Sequence, residues 1–129
     1  MFTNKDQHFL IDNDVFNKIL DTSELDKEDK ILEIGAGDGR LTKLLLDKVK
    51  KVNVIEIDEK FIGHLNDLQK INKNLEVHFE NALNLIDKLE FNKIISNIPY
   101  SVTEPLFKKL LKINFDLCIF IIGKNFYDL

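Results

Sequence analysis

The stretch Lys30-Ile31-Leu32-Glu33-Ile34-Gly35-Ala36-Gly37-Asp38-Gly39-Arg40-Leu41 decides the fold. Lys30 to Ile34 reads as a strand, Gly35 to Gly39 as a turn, and Arg40 to Lys48 as a helix burying Leu41, Leu44 and Leu45. Alternating glycines at such a junction allow a tight turn, close approach of a ligand to the backbone, and packing of helix on strand. The spacing is G-x-G-x-G, which differs from the dinucleotide fingerprint G-x-G-x-x-G. Asp38 also brings negative charge into the turn, which suits a ligand carrying an ammonium better than one carrying a pyrophosphate.

Outward from this unit the alternation is regular. Downstream, strands are expected at Lys51 to Ile57, Leu75 to Phe79, Asn92 to Ser96 and Phe115 to Ile122. Helices are expected at Glu59 to Ile71, at Ala82 to Leu89, and from Thr103, with Pro105 in the first turn and Leu106, Phe107, Leu110 and Leu111 on one face. The fifth strand is apolar enough to predict burial on both faces. Upstream, Val15, Phe16, Ile19 and Leu20 mark a further helix, and residues 1–12 read as irregular. Strands alternating with helices imply βαβ units, so the fold class is α/β: a Rossmann-like, mostly parallel sheet flanked by helices. Residues 1–129 read as a single domain, with the alternating α/β part at 13–129.

The 129 residues are 44% hydrophobic and 31% charged, a composition able to form a core. No apolar run reaches membrane-spanning length and the first residues lack the apolar stretch of a signal peptide, so a cytoplasmic protein is expected. A net charge of −4 argues against strong unaided grip on nucleic acid. Lysine clusters at Lys48, Lys50 and Lys51 and at Lys108, Lys109 and Lys112 read as solvated faces. His8, His64 and His78 are scattered without metal-ligand spacing, and Cys118 lies within an apolar run, so no metal site and no disulfide are expected.

The site residues follow the strand ends. Glu56 stands about twenty residues past the glycine turn, where an acid can accept both hydroxyls of a ribose. Ile57 can lie against an adenine face, Asp58 reads as a helix N-cap, and Asn81 can accept from an adenine amine or form a turn. With Gly35 and Gly37, these describe a place for a nucleoside with a charged amino-acid tail, of which S-adenosylmethionine is one. Beyond the fourth strand, Asn97-Ile98-Pro99-Tyr100 sets an amide, a proline-fixed carbonyl and an aromatic ring where ligands bind in open α/β sheets. Accepting both N–H bonds of an exocyclic amine at Asn97 and near Pro99 frees its delocalised lone pair, while Tyr100 stacks on the extruded base. Alignment of donor and acceptor then carries most of the catalysis.

These residues resemble the rRNA adenine-N6 dimethyltransferases: bacterial KsgA, its archaeal and eukaryotic counterparts, and the Erm resistance methylases. Gln7-His8-Phe9-Leu10 resembles the family's N-terminal signature, Glu33 to Thr42 its cofactor loop, Ile55 to Asp58 its ribose-binding strand end, and Asn97 to Leu106 its catalytic motif with the following helix. The resemblance implies S-adenosylmethionine contacts at His8, Leu10, Gly35, Glu56, Asn81 and Asn97, the target adenine held at Asn97 to Tyr100, and small-subunit ribosomal RNA as partner. It departs from the pattern at Asn81, where the family usually has Asp, and at Gly123-Lys124-Asn125, where it usually has Gln-Lys-Glu. Family members also continue past the position of Leu129 with further strands and a helical domain. An exposed edge on the fifth strand is therefore expected, open to self-association or a partner chain. An inactive cofactor- or RNA-binding module, a nicotinamide oxidoreductase, and methyltransferases of DNA adenine or protein glutamine are the rival readings.

Overall fold

Lys30–Ile34 (β1) takes the central place in a parallel sheet, where Ile31 on one face and Leu32 and Ile34 on the other need cover. The computed structural model describes residues 13–97 and 103–121. Within them, Lys51–Ile55 (β2), Leu75–His78 (β3), Lys93–Asn97 (β4) and Leu117–Ile121 (β5) complete a five-stranded sheet of order β3-β2-β1-β4-β5. Every pairing is parallel, with Ile34 opposite Ile55 on one side and Ser96 on the other. The chain winds outward from β1 to β3, then crosses back to β4 on the other flank. The crevice between the carboxyl ends of β1 and β4 is therefore the topological switch point.

Helices cover both faces. Asn13–Ser23 (α1), Arg40–Leu46 (α2) and Ile62–Ile71 (α3) pack their apolar residues Phe16, Leu41, Leu45, Leu65 and Leu68 with Ile31, Val52, Val54 and Ile95. Ala82–Leu85 (α4) and Thr103–Leu110 (α5) frame the opposite layer, where Leu106 and Leu110 meet Leu32, Ile34, Ile55, Ile86 and Ile94. Successive β1 residues thus serve opposite layers, as the strand period requires. Among the described residues, no helix is long and apolar enough to cross a membrane.

Several boundaries differ from the sequence expectation, each for a local reason. β2 stops at Ile55, not Ile57, because Glu56 turns its carboxylate onto backbone amides. The helix expected from Glu59 opens with a 3-10 turn, Glu59–Phe61, capped by Asp58, whose side chain accepts from Lys60 N at 3.1 Å. α2 ends two residues early, and α4 is a single turn. β5 is half-buried throughout, not buried on both faces, since it pairs with β4 alone among the described strands. Among the described strands β5 stands at the edge of the sheet. The residue 1–12 segment lies outside the described residues.

The amino ends of the strands hold a buried ion pair. Lys93 Nζ lies 2.8 Å from Asp29 Oδ2 and also donates to the carbonyls of Ser23 and Glu24 at 3.0 and 2.8 Å. Asn92 donates to the other Asp29 oxygen at 2.8 Å. Burial alone would raise the Asp29 carboxyl, but Lys93, Asn92 and the Asp26 amide together hold it below its ordinary value. The lysines at this end face acids, Lys50 meeting Glu28 at 3.8 Å and Lys51 meeting Glu76 at 2.8 Å, as expected of a solvated face.

Candidate functional site

The site is built on backbone geometry first. Gly35, Gly37 and Gly39 all have positive φ, of 78°, 58° and 84°. At Gly39 the requirement is double, because a Cβ there would also lie 2.7 Å from Leu68 Cδ1 on α3. Gly35 N donates to Ile55 O at 2.8 Å, tying the turn to the end of β2. Gly39 N closes back on Ala36 O at 3.0 Å, and Lys43 N takes up Gly39 O at 2.9 Å to start α2.

Glu56 spans the two strand ends. Its Oε1 accepts from Gly37 N at 2.8 Å, and its Oε2 accepts from Ile57 N and Asp58 N, both at 3.0 Å. Three amides therefore fix one carboxylate that is buried yet borders the turn. A carboxylate offers about four acceptor positions, so Oε1 retains one for a further donor such as a hydroxyl. Next to it Ile57 is 67% exposed, an aliphatic surface beside a buried acid. At the end of β3, Asn81 Oδ1 accepts from Leu83 N at 2.9 Å and caps α4, leaving its second lone pair available. Asn97 is the last residue of β4, in register with Ile121 and one position beyond the Ser96–Ile34 pair. Its backbone thus flanks Gly35 at the switch point.

The strand ends bring Gly35, Gly37, Glu56, Ile57, Asn81 and the Asn97 backbone to one edge of the sheet. His8, Leu10, Pro99 and Tyr100, and the Asn97 side chain, lie outside the described residues. Two contributors were not singled out from sequence. Ser96 Oγ donates to Ile34 O at 2.9 Å and clamps β4 to β1 where the crevice opens. Glu33, 2% exposed, accepts from Thr42 Oγ1 on α2 at 2.5 Å. Burial pushes the Glu33 carboxyl up to about 7 against the Thr42 bond, with the negative charges of Glu56 and Asp38 adding to the rise. An acid in mid-strand among apolar residues was the available signal. No group of His, Cys, Asp and Glu among the described residues could hold a metal ion.

A family profile described as ribosomal RNA adenine dimethylase matches residues 3–128. The chain belongs to that family. Among dimethylase relatives, it is 45% identical over 114 residues to the probable ribosomal RNA small subunit methyltransferase A of Methanococcoides burtonii, covering 88% of this chain and 42% of that one. It is 41% identical to the ribosomal RNA small subunit methyltransferase A of Clostridium acetobutylicum, covering 81% of this chain and 40% of the relative. The dimethyladenosine transferase of Plasmodium falciparum superposes with a TM-score of 0.81 at 30% identity, covering 91% of this chain and 44% of that one. The 23S rRNA methyltransferase ErmE superposes at 0.77 with 25% identity, over 91% of this chain and 48% of that one. The chain therefore has the dimethylase fold and spans about two-fifths of the length of the curated relatives it matches, 42% in the first case. Dimethylase membership removes the oxidoreductase reading.

Proposed function

We propose that this chain binds S-adenosylmethionine at the glycine turn and contributes the donor site and catalytic motif for methylation of the N6 amine of adenine in small-subunit ribosomal RNA. The observation that carries the reading is the Glu56 carboxylate, fixed by Gly37, Ile57 and Asp58 amides across two strand ends with an acceptor position left for a ribose hydroxyl. The residues fit a nucleoside with a cationic tail. The glycine backbone leaves room for the tail, Ile57 offers an apolar face to a purine, and Asn81 keeps a lone pair for its amine.

When bound, S-adenosylmethionine supplies an electrophilic methyl group on a sulfonium. The chain's own residues do the positioning. Glu56 and the glycine turn hold the nucleoside, with His8 and Leu10 assigned to the same ligand. Asn97 and the carbonyl near Pro99 accept the N–H bonds of the target amine and so localise its lone pair, and Tyr100 stacks on the extruded base. No strong base is required, because the methylated ammonium is acidic and loses its proton to water. With ribosomal RNA as substrate the reading is a cytoplasmic one, and β5, paired on one side among the described strands, supports pairing with a second copy or a partner chain.

Calorimetric titration with S-adenosylmethionine tests the donor site. Saturable binding is expected, weakened at least about tenfold in Glu56→Ala, in line with the loss of a charge-assisted hydrogen bond to the ligand. A folded, monodisperse sample that takes up no donor overturns the reading. Transfer of methyl groups to under-methylated small-subunit RNA, lost in Asn97→Ala, tests the acceptor half.

A further inference from the structure

The buried acid Glu33 has no assigned part in the proposed chemistry, and its surroundings are unusual. It sits in β1 two residues before the glycine turn, packed into the layer shared with α2. Among the described residues its side chain accepts from Thr42 Oγ1 and takes part in no ion pair. The charges acting on it are both negative, Asp38 from the turn and Glu56 from the end of β2. Neighbouring strand positions opposite it, Val54 on β2 and Ile95 on β4, carry no charge. Arg40, which opens α2, is engaged by Asp38 at 3.4 Å and lies over the Phe16 ring at 5.5 Å, and Lys43 one turn on is exposed. The turn is thus ringed by three acids, Glu33 and Glu56 buried and Asp38 half-buried, and among the described residues no ion pair engages Glu33.

We propose that Glu33 is the positioning residue that distinguishes a cationic methyl donor from its neutral product: its carboxyl releases a proton when a sulfonium occupies the glycine turn and retains it when the uncharged thioether does. The inference rests on the donor-site reading above. Donor and product share the ammonium and carboxylate of the tail, so they differ by one positive charge at sulfur. A charge added beside a buried carboxyl favours its ionised form, and by linkage the ionised carboxyl favours the charged ligand. The carboxyl's midpoint near neutrality, about 7, sets the range where the effect is read. Exchange of product for fresh donor then draws on charge, not shape alone.

The test is calorimetry of the wild-type chain with S-adenosylmethionine and with S-adenosylhomocysteine at about pH 6.5, in phosphate and in imidazole, whose unlike ionisation enthalpies report proton release. The expected result is a fractional proton released on binding the donor and less on binding the product. Between about pH 6 and 8 the donor affinity rises by up to about tenfold and the product affinity by less than about twofold. In Glu33→Gln the release and the pH slope should vanish for both ligands. In Thr42→Val, which removes the bond that favours the ionised form, the donor's slope should move to higher pH, an arm that stands if the first variant fails to fold. Equal release for the two ligands, or release that survives in Glu33→Gln, overturns the inference and leaves the donor site standing. Failure of the donor to bind at any pH overturns the donor site, and this inference with it.

Discussion

At Glu33 a carboxyl is held out of water by β1 and α2, and its protonation enters the stability of the fold as well as ligand binding. Burial raises its pKa to about 7 from 4.5, so the neutral acid is the form the folded state prefers. The unfolded chain gives up this proton first as pH rises. Stability from Glu33 is therefore complete below the unfolded value and is lost progressively up to about pH 7, above which the cost is constant. Glu33→Gln keeps an acceptor for Thr42 and removes the titration. Urea midpoints at about pH 5 and about pH 8 should fall for the wild type relative to the variant, by up to on the order of 3 kcal/mol. Parallel profiles would contradict the assignment. At Gly39 the constraint is steric. With φ of 84° and Leu68 Cδ1 at 2.7 Å from a built Cβ, Gly39→Ala should cost about 2–4 kcal/mol by combining left-handed strain with overpacking, read as a lower thermal midpoint.

Among the elements, β4 is fastened at both ends, by the Ser96 hydroxyl near the site and by the Lys93–Asp29 pair at the amino end. Removing one member of a buried pair leaves the other charge uncompensated. Lys93→Met should therefore destabilise by about 3–5 kcal/mol in equilibrium unfolding, and Lys93→Met combined with Asp29→Asn by less than that single change. A double variant as unstable as the sum would reject the pairing argument. The elements also show what sequence could and could not deliver. The limits of β1 are legible because Lys30 and the glycine run bracket the strand residues sharply. The sequence predicts β2 two residues too long because Glu56 and Ile57 continue a plausible strand pattern, whereas the amides of Gly37, nineteen residues earlier in the chain, and of Ile57 and Asp58 hold the Glu56 carboxylate beyond the strand end. β5 read as fully covered because its composition is that of an inner strand, yet its place in the sheet depends on what pairs beyond it. Asp58 as a cap is legible from its place just before a helical pattern, and the structure bears it out. The Glu33–Thr42 bond is not legible, since it depends on how α2 rotates over β1.

Across the molecule, apolar surface gathers at the α5 and β5 flank. Leu111 is 87% exposed, with Phe107 and Phe115 also exposed, and Phe107 meets the half-buried Phe120 edge-on at 4.6 Å between ring centroids. An edge strand beside such a surface invites association. Leu111→Lys should shift sedimentation toward the monomer while leaving the thermal midpoint within about 0.5 kcal/mol of wild type, the usual range for an exposed position. Unchanged association would mean that the flank takes no part in it. The three acids at the turn lie at the opposite end of the strands from the Lys50–Glu28 and Lys51–Glu76 pairs.

The Ser96–Ile34 clamp joins residues 62 apart in the chain. β1, β2 and β3 can zip together through successive local crossovers, but the wall contributed by β4 must return across everything between. Closing so long a loop is entropically slow compared with forming neighbouring pairs. The half that carries the glycine turn and Glu56 is therefore free to assemble early, and the crevice exists only from the moment β4 arrives. During biosynthesis, the donor pocket therefore gains its second wall only once β4 has been made and has returned to β1.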